Sequence, residues 1–266
     1  MPIDPDSISR KDAKAFLQMQ LEFSVDQSIG DDPVNRYKLK EDKPRPARPP
    51  KSINLRAESK PADFVGIASR LAAQARNLDE LRNSLEKFEH CELKFSARQL
   101  VFSDGRADSR LMIIGEAPGR DEDIQGRPFV GRAGRLLDAM FAAIDLSRNS
   151  ESAANGLYIT NVIPWRPPGN RAPTSEEINM MRPFMFAHIK LASPQLIVLM
   201  GNIACQAVIN SAGITRIRGD WRDFLGIPVM PTFHPAYLLR NPLSKRLAWR
   251  DLLAVRLKMR GEVGSS

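Results

Sequence analysis

The sequence predicts an α/β protein, a three-layer α/β/α arrangement around a central, mainly parallel four-stranded sheet. Three observations predict it. Four short apolar runs, LMIIG (111–115), LYITNVI (157–163), QLIVLMG (195–201) and IPVMPTF (227–233), have the length of buried strands rather than of helices. Amphipathic stretches near 131–145, 174–192, 202–211 and 243–258 lie between and after them, and strands alternating with helices build parallel sheets covered on both faces. The chemically unusual segments, GEAPGRDED, NVIPWRPPGNR and FHPAYLLR, each follow a strand, which is where open α/β sheets bind ligands.

Taken in order, residues 9–24 have helical spacing, with Ala15, Phe16, Met19 and Phe23 on one stripe. Residues 38–60 are rich in proline and charge, cannot bury a core, and read as a linker. Residues 1–60 are therefore expected to be an appendage, 61–260 a single α/β domain, and 261–266 a short tail. Helices are expected over 62–74 and over 78–88, the second with Leu81, Leu85 and Phe88 on one face.

The chain of 266 residues is long enough for one well-buried core, and 42% hydrophobic with 26% charged residues is ordinary for a globular protein. No apolar run reaches the roughly 18 residues of a membrane span, and the first residues lack the apolar stretch of a signal peptide. No membrane association, a cytoplasmic location and a monomer are expected. Cys91 and Cys205 form no CxxC pair, and His90, His188 and His234 show no zinc-ligand spacing, so no metal site is expected. The net charge of +8 is concentrated: residues 213–260 carry ten Lys/Arg against three acids. A solvated face would mix the signs, so this segment points to a polyanion.

Three blocks carry chemistry. In GEAPGRDEDIQGRPFVGRAG (115–134) a glycine turn follows the first strand, with carboxylates at Glu116, Asp121, Glu122 and Asp123 and an aromatic ring at Phe129. A triphosphate loop is excluded, because GK[ST] is absent and the acids would repel phosphate. Acids beside an aromatic ring suit the positioning of water next to a stacked planar group. In TNVIPWRPPGNR (160–171), Asn161 ends an apolar strand, where an amide is costly unless hydrogen-bonded; its donors and acceptor can read the edge of a pyrimidine. In PTFHPAYLLR (231–240), His234 tops the last strand on the ligand side and opens the most basic segment.

Together these blocks resemble the family 4 uracil-DNA glycosylases. The matching stretches are GEAPGRDED, GRPFVGRAG, TNV, RPPGNR, PTSEEI and HPAYLLR, in consistent order over about 78–258; residues 1–60 lie outside. The resemblance implies a monofunctional repair glycosylase that flips uracil out of DNA, hydrolyses its N-glycosidic bond, releases free uracil and leaves an abasic site. It implies that Phe129 stacks on the base, Asn161 reads its edge and rejects cytosine, and His234 donates to the oxygen where negative charge builds. Glu122 is the first choice for holding the attacking water and Glu116 the second. Ala117 stands where a sister family places its water-activating Asp. The resemblance further implies that Asp121 and Asn170 complete the uracil pocket, that Leu239 and Arg240 wedge into the gap left by the base, and that Lys245 and Arg246 hold phosphates.

The sequence departs from this family at one place. Family members hold a four-iron, four-sulfur cluster through four cysteines, and those positions fall at about Phe88, Cys91, Trp165 and Met181. One surviving cysteine cannot hold such a cluster, so no cofactor is expected. The loop GNRAPTS contains no histidine of the kind with which a related branch traps DNA covalently, so simple hydrolysis is expected. Two other readings stand beside this one: a glycosylase for another deaminated base such as hypoxanthine, and a non-catalytic protein that recognises uracil or abasic sites.

Overall fold

Residues 63–261 are described by the computed structural model; the stripe at 9–24, the linker at 38–60 and the tail from 262 onward lie outside the described residues. The four apolar runs form β2 (Leu111–Gly115), β3 (Leu157–Asn161), β4 (Leu196–Met200) and β6 (Ile227–Thr232), all mutually parallel in the order β3-β2-β4-β6. The sheet has six strands rather than the four expected. Two short antiparallel edges flank the centre: β1 (Asp104–Gly105) beside β3 and β5 (Arg222–Phe224) beside β6. Two or three residues are too few to show an alternating pattern, which is why the sequence did not reveal them.

The helices are α1 (Phe64–Gln74), α2 (Leu78–Lys87), α3 (Leu93–Ser96), α4 (Arg120–Gln125), α5 (Arg132–Ala142), α6 (Ser175–Ala192), α7 (Asn202–Ile209), α8 (Ile214–Ile217), α9 (Pro235–Arg240) and α10 (Lys245–Arg260). Asn77 caps α2 and Thr174 caps α6 through side-chain oxygens that accept backbone N–H groups left over at a helix start. Among the described residues no helix is long and apolar enough to cross a membrane.

Because side chains alternate along a strand, each central strand feeds two cores. Met112, Ile114, Tyr158, Ile197 and Leu199 face the layer of α1, α2, α6 and α7. Leu111, Ile113, Leu157, Ile159 and Val198 face α5 and α10. His188 lies in the first layer, with a ring nitrogen 2.8 Å from the Tyr158 hydroxyl. Burial pushes its pKa down to about 3, so it is a neutral core histidine. The chain leaving β2 goes to one face and the chain leaving β3 to the other. Their loops part above the sheet and open a crevice at the C-terminal strand ends.

Candidate active site

That crevice is a cleft of about 570 Å³. Glu116, Ala117, Glu122, Phe129, Asn161, Asn170, His234 and Arg240, all singled out from sequence, line it. Arg171 and Tyr237, which were not, line it too. Tyr237 follows the strand-end histidine by three residues, so helical spacing from His234 was the signal that could have found it.

Asn161 is the last residue of β3 and is buried, yet its side-chain oxygen has no hydrogen-bond partner among the described residues. A buried acceptor left unpaired costs about 1–3 kcal/mol and marks a place where a donor is missing. Gly115 makes the spot possible: a Cβ there would stand 2.4 Å from the Asn161 oxygen and 2.5 Å from the tip of the Phe129 ring. The absent side chain lets the amide and the ring come together.

Phe129 is buried and stacks on His234 with ring centroids 5.4 Å apart. Its φ of 55° lies in the left-handed region, which costs a non-glycine residue about 1–2 kcal/mol. His234 caps α9: its Nδ1 accepts the backbone N–H of Ala236 at 3.2 Å. With Nδ1 accepting, the ring proton of the neutral imidazole resides on Nε2. Burial, assisted by the Arg240 charge, pushes the His234 pKa down to about 4. At neutral pH the residue is thus an uncharged donor. The strand end beneath it is tied to α10, because Asp251 accepts from both the Thr232 hydroxyl and Arg218.

The two candidate water-holding carboxylates differ in what they already hold. Glu122 accepts three backbone N–H groups at 3.0 Å, from Gly119, Val130 and Gly131, and so pins the two glycine loops together. Glu116 follows directly on β2, and burial alone raises its pKa above the ordinary carboxylate value. Both carboxylates line the cleft, Glu122 with its oxygens already accepting from the loops and Glu116 without such bonds.

The remaining expected site residues are spread more widely. Asp121 is exposed and does not line the cleft; its carboxylate faces Gly131 across the loop, since the first turn of α4 carries it away from its neighbour Glu122. Leu239 is half-buried and off the cleft, while Arg240 is exposed at its rim. Asn170 is exposed and accepts from Arg166 at 2.8 Å. Lys245 and Arg246, at the start of α10, border a different hollow of about 350 Å³ walled by Leu136, Met140, Leu238 and Trp249.

The four positions that the resemblance assigns to cluster ligands come from four separate segments and are all buried in one core cluster: Phe88 after α2, Cys91 before α3, Trp165 after β3 and Met181 on α6. Trp165 is the largest fully buried side chain among the described residues, and Phe88 and Phe141 come next. An indole, a phenyl ring and a thioether beside a single thiol do not fit an iron–sulfur cluster, which needs four thiolates.

The model of the uracil DNA glycosylase superfamily matches residues 102–253. A Type-4 uracil-DNA glycosylase of Thermotoga maritima is 41% identical over 173 residues, covering 63% of this chain and 87% of the relative. One of Archaeoglobus fulgidus is 34% identical over 175 residues, covering 62% and 85%. A Type-5 uracil-DNA glycosylase of Pyrobaculum aerophilum is 27% identical over 172 residues, covering 60% and 75%. The matched span runs from just before β1 into α10 and takes in every strand of the sheet and every wall of the cleft, so the chain belongs to the uracil-DNA glycosylase superfamily.

Proposed function

We propose that the cleft excises uracil from DNA by hydrolysis of the bond between the base and C1′ of its deoxyribose. The observation that carries this reading is the unpaired buried oxygen of Asn161 beside the Phe129 ring. Uracil presents N3–H to such an acceptor and O4 to the amide N–H. Cytosine presents an acceptor and an amine in those places, so both contacts turn repulsive. A site that pairs one edge rejects the reversed edge strongly, because its own buried groups are left without partners. Phe129 stacks on the extruded ring. As the C1′–N1 bond breaks, its electron pair moves onto uracil, and Nε2–H of His234 donates to O2, where charge collects. The water oxygen bonds to C1′, and its proton passes to the Glu116 carboxylate and on to solvent; the uracil anion is protonated from solvent on release. Glu122 holds the loops that carry these groups. A single-uracil oligonucleotide incubated with the protein and then treated with alkali should break at the uracil position, with free uracil released. An intact strand would overturn the reading; faster release of hypoxanthine would replace it with a purine-directed one.

The burial of both titrating groups fixes the pH dependence. Glu116 must be ionised to accept a proton, and its raised pKa moves the loss of activity to a pH above the ordinary carboxylate value. His234 stays neutral down to about pH 4 and adds no step near its usual value. Single-turnover rates between pH 4.5 and 9 should show one acid limb that disappears in Glu116→Gln. An inflection near 6.5 that vanishes with His234 would contradict the assignment.

Arg240 at the cleft rim, with Lys245 and Arg246 on the first turn of α10, grips the phosphates flanking the flipped nucleotide. No acid stands in that first turn to offset their charge. Replacing Lys245 and Arg246 by alanine should weaken DNA binding and lower the slope of log affinity against log salt by about 1.8, two phosphates at about 0.9 each. An unchanged slope would remove both from the interface. The reaction runs without an iron–sulfur cluster, and the purified protein should be colourless; stoichiometric iron with visible absorbance would contradict this.

A further inference from the structure

We infer that Arg148, in the loop between α5 and β3, is a positioning residue that fixes the Phe129 ring by gripping its backbone. This rests on the stacking role proposed for Phe129 and identifies what holds that ring in place. An aromatic residue at a φ of 55° stays there only where its surroundings over-determine it. Arg148 supplies one half of that constraint. Its Nη1 donates to the Pro128 carbonyl at 2.9 Å and its Nη2 to the Phe129 carbonyl at 3.0 Å. The guanidinium is itself held by Asp104 of β1 through Nη1 and by Asp138 of α5 through Nε, each at 2.8 Å, and the side chain is only 7% exposed.

Glu122 supplies the other half. It accepts the N–H groups of Val130 and Gly131. Segment 128–131 is thus held at two successive carbonyls by a cation and at the next two amides by an anion, each charge meeting the complementary end of the peptide dipoles. On the third side a Cβ at Gly134 would fall 1.8 Å from the Phe129 carbonyl oxygen, so α5 closes against the same group. With its backbone held this way the ring is fixed against Gly115 and His234 before any base arrives. The planar fork of arginine reaches two carbonyls and two carboxylates at fixed angles, which a lysine ammonium cannot reproduce. Arg148 stands 19 residues after Phe129 and does not itself line the cleft.

The test is a double-mutant cycle on uracil excision. Arg148→Lys, which keeps the charge, should lower the single-turnover rate roughly tenfold to a hundredfold by loosening the ring. It should raise the inhibition constant of free uracil by a similar factor. Its affinity for undamaged duplex should stay within about twofold, because phosphate contacts are untouched. In a Phe129→Ala background the same substitution should change the rate by less than about twofold, since no ring is left to misplace. Asp104→Asn, which weakens the hold on Arg148, should give the same pattern on a smaller scale and carries the test should Arg148→Lys fail to fold. Full activity in Arg148→Lys, or losses that multiply with Phe129→Ala, would overturn the inference. A Phe129→Ala variant that excises uracil at the parental rate would instead overturn the stacking role, a result read from that single variant alone.

Discussion

Replacing His234 by alanine slows uracil excision by on the order of 10²–10³, equivalent to about 2.7–4 kcal/mol of barrier, while DNA binding changes little. The size follows from the state of the ring. A donor that must hold its proton while charge builds on O2 does best as a neutral group already aimed at the oxygen. The backbone N–H of Ala236 occupies Nδ1 and leaves the proton on Nε2, and burial holds the pKa at about 4. The ring therefore needs neither rotation nor a proton exchange at the moment of bond breaking. Single-turnover rates of His234→Ala and His234→Gln, with melting curves as a control on the lost stacking against Phe129, measure the effect. A variant that retains near-full rate would remove His234 from the chemistry. Glutamine, which keeps an N–H donor of similar reach, should recover part of the loss.

What could be read from the sequence followed the length of the signal. The four central strands are five- and six-residue apolar runs buried on both faces, and each was placed to within two residues of its ends. Their loops carry Glu116, Phe129, Asn161 and His234 to one crevice, because a parallel sheet brings all its C-terminal ends to the same side. What stayed hidden depends on where backbone groups point in three dimensions. The three N–H groups that occupy Glu122 belong to residues up to nine positions away, and nothing in GEAPGRDED says that they turn toward it. Asp121 and Glu122 are neighbours in an acid cluster, yet one turn of helix sends only the second into the cleft. Arg148 lies in a surface-like stretch, LSRNSES, whose composition gives no sign of a buried guanidinium. The short helix α9 leaves Leu239 half-buried beside the cleft and puts Arg240 at the rim, a placement that the motif alone does not give.

The substitution Trp165→Ala tests the proposal that apolar side chains stand where family members hold a cluster. A metal cluster joins distant segments and contributes directly to folding. Here the four corresponding positions lie in one hydrophobic cluster that draws on α2, the loop before α3, the loop after β3 and α6. Phe88 packs edge-on against Phe184 of α6 at 5.4 Å between centroids, and Met181 sits one turn earlier on the same helix. An indole and a phenyl ring supply large apolar area, and a thioether adapts to the gap that remains. Trp165 is 2% exposed and lies four residues after Asn161; the Pro164 carbonyl just before it accepts the N–H of Val101 at 2.9 Å. Removing the indole should therefore empty a sealed volume and cost about 3–5 kcal/mol of stability. For a domain of this size that corresponds to a fall in melting temperature of roughly 6–20 °C. Because no group that touches the base is lost, excision well below the new transition should persist at a reduced rate, with the loop bearing Asn161 less firmly held. Trp165→Phe, which keeps most of the volume, should recover more than half of the stability. Thermal melts of the three proteins beside their low-temperature excision rates decide the matter: a melting temperature unchanged in Trp165→Ala would mean that the indole does not replace the cluster as the tie between these segments.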